Sequence, residues 1–316
     1  VPTAVNPGPT DHPARPIVAV LAAATLWGTT GTAQALGPED STPLAVGALR
    51  LALGGLTLAL VAWATGNLRH QPWRATLAPL GLGGVAVALY QLGFFVGTSR
   101  AGVAVATVVT IGSAPVFSIL LSLGRGRGAP DRATWWATSL TILGVVLLGL
   151  AGGGGGGLTP DVAGVVAALI AGAGYATYAE LGREAMDRGM HSTTSMAGLF
   201  CVGAALASLT LPWQPLGWVH TGSGVLMLGH LSLVTLGLAY VLYGWGLGRL
   251  PVATVVTLTL AEPLVASLLA VVVLDERLGP LGWIGVSAVV AGLLLVGRAA
   301  QRPRVPSAAH PLPSPP

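Results

Sequence analysis

Val105-Ala106-Thr107-Val108-Val109-Thr110 recurs letter for letter as Val252-Ala253-Thr254-Val255-Val256-Thr257, 147 residues further on. Val- and Ala-rich helices repeat six letters by chance, so the flanks decide whether the repeat is real. Tyr90 precedes the first copy and Tyr240 the second, while Pro115 and Pro263 follow them. Beyond the prolines, Trp135 with Gly144 matches Trp283 with Gly292 at a shared offset of 148. Self-similarity over such a period makes each half of the chain one copy of a structural unit.

Each unit holds five apolar runs. They fall at roughly 16–36, 43–65, 75–98, 102–123 and 133–151, then at 161–182, 193–212, 223–247, 251–274 and 280–297. A helix crosses a bilayer with roughly 20 apolar residues. In lipid the backbone must satisfy itself, and these long runs do so as helices, not as the short alternating segments of a barrel. Five is odd, so a first unit that starts inside obliges the second to start outside. The expected fold is an all-α integral membrane protein, with ten transmembrane helices as two inverted five-helix repeats. Inverted repeats are an architecture of secondary transporters, with the substrate near the midplane between the halves.

Composition agrees, because 53% hydrophobic and 8% charged residues with a mean hydropathy of +0.76 leave too little polar surface for a soluble globule. All fifteen basic residues are arginine, which excludes a Walker A loop and the Schiff bases of pyridoxal and retinal, since each needs lysine. The arginines sit at the ends of apolar runs instead of on one face, so the formal charge of +4 does not point to nucleic acid. With both termini on the cytoplasmic side of the cell membrane, twelve arginines fall inside (15, 69, 74, 125, 127, 132, 183, 188, 249, 298, 302, 304) against Arg100 and Arg277 outside. That is a strong positive-inside bias. Cys201 is the only cysteine, so an internal disulfide is impossible.

The domain reading is a disordered tail at 1–15, a first repeat at 16–151, a Gly-rich external hinge at 152–160, a second repeat at 161–298 and a disordered tail at 299–316. The Gly152–Gly157 run follows a membrane span, has no lysine or acidic ribose partner near it, and reads as a hinge, not a nucleotide loop. The first apolar run is followed by many more and reads as a retained span, not a cleaved signal. Expected partners are a small-molecule substrate and the lipid bilayer, with no nucleic acid, nucleotide hydrolysis, cofactor or metal. The oligomeric state is open.

Several polar and aromatic residues within the spans are candidates for function. Glu262 lies near the middle of the ninth span, where an ionised side chain costs roughly 2.5–3.5 kcal/mol. It is either a proton-titrating or cation-binding group, or a hydrogen-bonding partner for carbonyls freed at the Pro263 kink, with Pro115 the matching kink. Thr107 with Thr110, and Thr254 with Thr257, each share a helix face. They either bond back to their own helices or line a cavity. An aromatic set of Trp27, Tyr90, Phe94, Tyr175, Tyr178, Tyr240, Tyr243 and Trp245 stands out in a chain only 6% aromatic. All of these except Trp245, joined by Thr30, Gln91 and the four threonines, form the candidate substrate cavity, with amphipathic walls for an apolar or cationic ligand. Arg50 either snorkels to the surface or anchors a substrate carboxylate. Glu180, placed near the cytoplasmic interface, and His230 are weaker candidates. No nucleophile or metal constellation emerges, so the chain is not read as an enzyme.

These residues also carry a family resemblance. Y-V-L-Y-G-W-G-L-G-R-L from Tyr240, A-E-P-L-V-A from Ala261, D-E-R-L from Asp275 and W-I-G-V-S-A-V-V-A-G from Trp283 closely resemble the second half of EamA-type members of the drug/metabolite transporter superfamily. L-W-G-T-T at Leu26–Thr30, A-L-R at Ala48–Arg50 and S-A-P-V-F at Ser113–Phe117 resemble its first half. The resemblance implies ten helices in two inverted repeats and movement, often export, of amino acids, amines or drug-like compounds by alternating access. One departure is Gly124-Arg125-Gly126-Arg127 in the first repeat, where the second has Asp275-Glu276-Arg277. A passive channel or facilitator is the alternative, disfavoured by the scattered polar residues. An intramembrane enzyme ranks behind both.

Overall fold

The computed structural model describes residues 14–126, 130–152, 161–273, 275 and 277–301. Most of the expected tails and hinge lies outside the described residues. The first repeat comprises α1 (Ala14–Ala35), α2 (Pro43–Ala64), α3 (Trp73–Ala101), α4 (Val103–Gly124) and α5 (Arg132–Gly152). The second begins with α6 (Val162–Asp187) and α7 (Ser192–Ser208). Its next span combines α8 (Gly222–Gly229), a π-helical stretch (His230–Leu238) and α9 (Ala239–Leu247). Then α10 (Val252–Leu258) and α11 (Ala261–Val273) share one span, and α12 (Pro280–Ala300) completes the repeat. Ten spans are long and apolar enough to cross a membrane. The described residues contain no strand.

Local chemistry sets the helix starts. Thr42 accepts from Ala45 N ahead of Pro43, Asp161 accepts from Ala163 N, and Thr221 accepts from Gly224 N. Each cap satisfies an otherwise orphaned amide. Asp161 also pairs with Arg100 at 3.0 Å, tying the start of α6 to the end of α3. The Ala163 amide and then Arg100 hold this carboxyl below the usual carboxylate range. Gly102 turns the chain between α3 and α4 at φ 85°, where a side chain would be strained. The expected seventh span ends early, at Ser208, and two short 3-10 turns carry the chain to a fully buried Trp218.

Helix pairing follows a pseudo-twofold pattern. Contacts of α6 with α3 and α4 are matched by those of α1 with α9 and α11, while α2 packs on α7 and α5 on α12 across the axis. Glycine permits the closest of these approaches, as small residues do in membrane bundles. A Cβ on Gly144 would lie 2.6 Å from Val289 N and 2.8 Å from Gly285 O, and one on Gly292 would lie 2.9 Å from Thr141 N. Gly144→Ala is therefore expected to destabilise the α5–α12 pair by about 1–3 kcal/mol. Gly297→Ala, with nothing within 4 Å, is the control. Thermal unfolding in detergent checks this, with a lower Tm expected for the first variant alone.

The two halves differ in one short stretch. Four residues, Ile111 to Ala114, separate the first hexapeptide from its proline, and five, Leu258 to Glu262, separate the second. The first copy runs on through a continuous α4 that contains Pro115. The helix that carries the second copy stops at Leu258, and a new helix starts at Ala261 with Pro263 in its first turn, where proline is tolerated. One additional residue thus accompanies the division of the ninth span into two half-helices.

Burial divides the bundle by depth. The end where α1 starts and α12 finishes, here the tail end, is tightly packed. All buried residues of α1 lie between Pro16 and Gly28, and all seven residues of α10 are buried. Toward the opposite or far end, α1 has no buried residue beyond Gly28, and α11 buries only Ala261 and Pro263.

Candidate functional site

The aromatic residues expected to gather do so at the centre, between the two repeats. Trp27 of α1 lies 4.9 Å from Tyr240 and 5.3 Å from Tyr243 of α9, ring centre to ring centre. Tyr90 of α3 contacts Tyr175 and Tyr178 of α6 and extends to Phe94. The Tyr178 and Tyr240 hydroxyls, both in the second repeat, share a hydrogen bond of 3.0 Å that joins these two cross-repeat groups. Tyr175 OH meets Thr259 Oγ1 at 2.7 Å, beside the break in the ninth span. Trp245 is not part of this cluster, because it stacks under Arg249 at 4.1 Å, near the tail end.

Among the described residues, several polar atoms are buried without a partner: Trp27 Nε1 and Tyr243 OH within the aromatic group, and Thr30 Oγ1, Arg50 Nε, Ser118 Oγ and Ser232 Oγ. Tyr243 OH faces Tyr175 without reaching hydrogen-bond geometry. An orphaned buried group costs about 1–3 kcal/mol. Trp27 and Tyr243, whose rings lie 5.3 Å apart, bring two of them together, a place suited to receive something polar. Gln91 is also buried, and Gly47 on α2 leaves room for it. A Cβ at Gly47 would come within 2.5 Å of Gln91 Nε2 and 2.2 Å of the Phe95 ring.

Glu262 is half-buried in the first turn of α11, where the positive end of the half-helix favours a carboxylate. Its backbone is seated against α1, since a Cβ on Gly28 would lie 3.0 Å from Glu262 O and 2.6 Å from Val265 Cβ. Arg50 is the charged group that acts electrostatically on Glu262. Yet the two form no ion pair within 4.0 Å, and Arg50 Nε stays unpaired. A guanidinium with an unmet donor and a carboxyl that it influences, not joined to each other, give the site one basic and one acidic group.

The threonines divide. Thr110 is fully buried and donates to Ala168 O of α6, whereas Thr257 bonds to Ala253 O and meets Thr138 of α5 at 3.2 Å. Thr254 is buried and Thr107 half-buried. Glu180 is fully buried and accepts from Ser122 Oγ at 2.6 Å, while His230 Nε2 meets Thr29 Oγ1 at 2.7 Å. The sequence did not single out Phe200 of α7, whose ring lies 4.1 Å from Tyr240. Its one signal is scarcity, since phenylalanine occurs four times in the chain.

A ten-span helical bundle of two inverted repeats is an architecture of membrane transporters. The chain belongs to the EamA-like transporter family, whose model matches residues 14–150 and 162–298. It is 39% identical to the uncharacterized transporter YwfM of Bacillus subtilis over 292 residues, covering 92% of this chain and 96% of that protein. It is 32% identical to the threonine/homoserine exporter RhtA of Escherichia coli over 294 residues, covering 87% and 89%. A solved crystal structure superposes with a TM-score of 0.75 at 25% identity, covering 89% of this chain and 95% of its own. The protein is thus a multi-pass membrane transporter.

Proposed function

We propose that this protein exports amino acids by alternating access, with the substrate carboxylate on Arg50, its ammonium on Glu262, and a proton taking the ammonium's place at Glu262 on the return. The observation that carries this reading is the separation of Arg50 from Glu262. A charge taken out of water is costly without a partner, and these two side chains do not supply one to each other. A zwitterion satisfies both at once, through charge-assisted hydrogen bonds at each end. Trp27, Tyr240 and Tyr243 supply the wall for the substrate's apolar part. The similarity to a threonine/homoserine exporter supports the same substrate class. The packed tail end argues against an open pore.

The test is counterflow in liposomes containing the purified protein, screened across amino acids, amines and nucleobases. Uptake of labelled threonine against unlabelled internal threonine is expected, with amines that lack a carboxylate moving more slowly. Faster counterflow of those amines, or of nucleobases, would contradict the reading. The arginine bias also predicts a cytoplasmic tail end. Reporter fusions after Ser99 and after Gly157 should both report an external location. An internal location at both would overturn that orientation.

A further inference from the structure

The pair formed by α5 and α12 lies at the rim of the bundle. Of the ten spans these two bury the smallest shares of their apolar stretches, 33% and 28%, so most of their surface is turned to lipid. They run antiparallel in a register that glycine fixes, since a Cβ on Gly292 would lie 3.0 Å from Ala137 O and one on Gly144 2.8 Å from Gly285 O. One turn nearer the tail end, the register brings Ala133 beside the last turn of α12. There the two helices leave a groove of about 230 Å³, lined by Ala133, Trp136, Leu295, Arg298 and Ala299.

The arginines near α6 and α9 at the tail end are answered by the protein itself. Arg183 donates to Asp187 and to the Leu247 and Leu250 carbonyls, Arg188 to Glu184 and Ala75 O, Arg125 lies 3.8 Å from Glu184, and Arg249 covers Trp245. The α5–α12 pair differs. Arg132, the first residue of α5, and Arg298, in the last turn of α12, are exposed, and neither side chain has a hydrogen bond or ion pair among the described residues. No acidic residue lines the groove, and Asp131 beside it caps its own helix by accepting from Thr134 N at 2.8 Å. Trp136 is 75% exposed, as suits an indole at the headgroup level of a membrane. Among the described residues the cation–π contact is that of Arg249 on Trp245, so the Trp136 ring does not hold the Arg298 guanidinium.

We propose that this groove binds the headgroup of an anionic phospholipid from the leaflet at the tail end. The phosphate sits on Arg298 with Arg132 at the rim, and the glycerol and first acyl carbons lie against Trp136 and Leu295. A planar guanidinium matches a phosphate with two parallel hydrogen bonds. Basic pockets between spans on the cytoplasmic side take such headgroups, and the arginine bias predicts that side for the tail end. A choline headgroup would bring a second cation beside Arg298, whereas phosphatidylglycerol brings none. One lipid seated here touches the last helix of each repeat and so braces the α5–α12 pair from outside.

The site is read by lipid binding and not by transport, so it stands apart from the choice of substrate. Purified protein is titrated with phosphatidylglycerol or phosphatidylcholine, and the bound lipid is counted by native mass spectrometry. Phosphatidylglycerol should bind the more tightly, and Arg298→Gln should lower its apparent affinity roughly tenfold or more, as expected when a charged donor to phosphate is lost. Arg298→Lys keeps the charge without the fork, so it should fall between and serves if the glutamine variant is not recovered. Arg74→Gln removes an equal charge from an exposed arginine at the start of α3, outside the groove's lining, and should leave the affinity nearly unchanged. Wild-type affinity in both Arg298 variants, or an equal loss in Arg74→Gln, would mean diffuse attraction and overturn the proposal. Displacement of the lipid by inorganic phosphate would make this a free-anion site and overturn it as well. In a Cys201→Ser background, disulfide cross-linking of Trp136→Cys between two copies in phosphatidylglycerol-containing membranes would assign the groove to a second copy of the chain, which also overturns the lipid.

Discussion

Glu262→Gln should abolish accumulation driven by a proton gradient while exchange of labelled for unlabelled amino acid continues. The substitution keeps the side chain's size and most of its hydrogen-bonding capacity and removes only the titration. Glu262 sits half-buried in the first turn of α11, held against Gly28 of α1 and acted on by Arg50. If its carboxylate alternates between the substrate's ammonium and a proton, a residue that cannot ionise has no return step to couple. An exchange half-cycle that never releases a proton needs only the neutral amide's hydrogen bonds. If Glu262 merely served the backbone at Pro263, glutamine would replace it with little loss. Gradient-driven transport and exchange are therefore measured in the same liposomes across pH. Wild-type behaviour of the variant in both assays would refute proton coupling at this residue.

The second large effect is expected at Arg50. Removing a charged donor from a buried carboxylate contact costs about 1.5–3 kcal/mol, or roughly tenfold to 150-fold in apparent affinity. Arg50→Ala should raise the KM for amino-acid exchange by that order and leave amines without a carboxylate nearly unaffected. Arg50→Lys keeps the charge but loses the planar fork, so it should recover only part of the affinity. A snorkelling arginine would behave differently. Lysine snorkels equally well, so Arg50→Lys would then match wild type, and Arg50→Ala would reduce membrane abundance with KM unchanged. KM and abundance measured together separate the two roles.

Both the number of spans and the repeat were legible in the sequence because each rests on local regularities. Ten apolar runs set the spans, and the hexapeptides with Trp135 and Trp283 set the period. The aromatic cluster was legible in part, because Tyr90, Tyr175, Tyr178, Tyr240 and Tyr243 are rare residues in a lipid-like composition. Phe200 reaches Tyr240 only through the packing of α7, which no spacing along the chain encodes. Trp245 looked the same in sequence and packs against Arg249 instead. Glu180 illustrates the same limit, since its place in the chain suggested the membrane surface and its packing against α4 buries it completely. The π-helical stretch His230–Leu238 and the break after Leu258 are long-range outcomes, although the extra residue before Pro263 is visible once the halves are aligned. Arg50 supported two opposite roles in sequence, because whether a guanidinium finds water, a carboxylate or nothing depends on helices far away in the chain.

A single site exposed to one side of the membrane at a time should show trans-stimulation. Liposomes containing the purified protein are loaded with labelled threonine, and efflux is timed with and without unlabelled threonine outside. A carrier that reorients faster when occupied should lose label faster with threonine on the outside. Efflux unchanged or slowed by external threonine, at a rate well above that of protein-free liposomes, would indicate a pore and contradict alternating access.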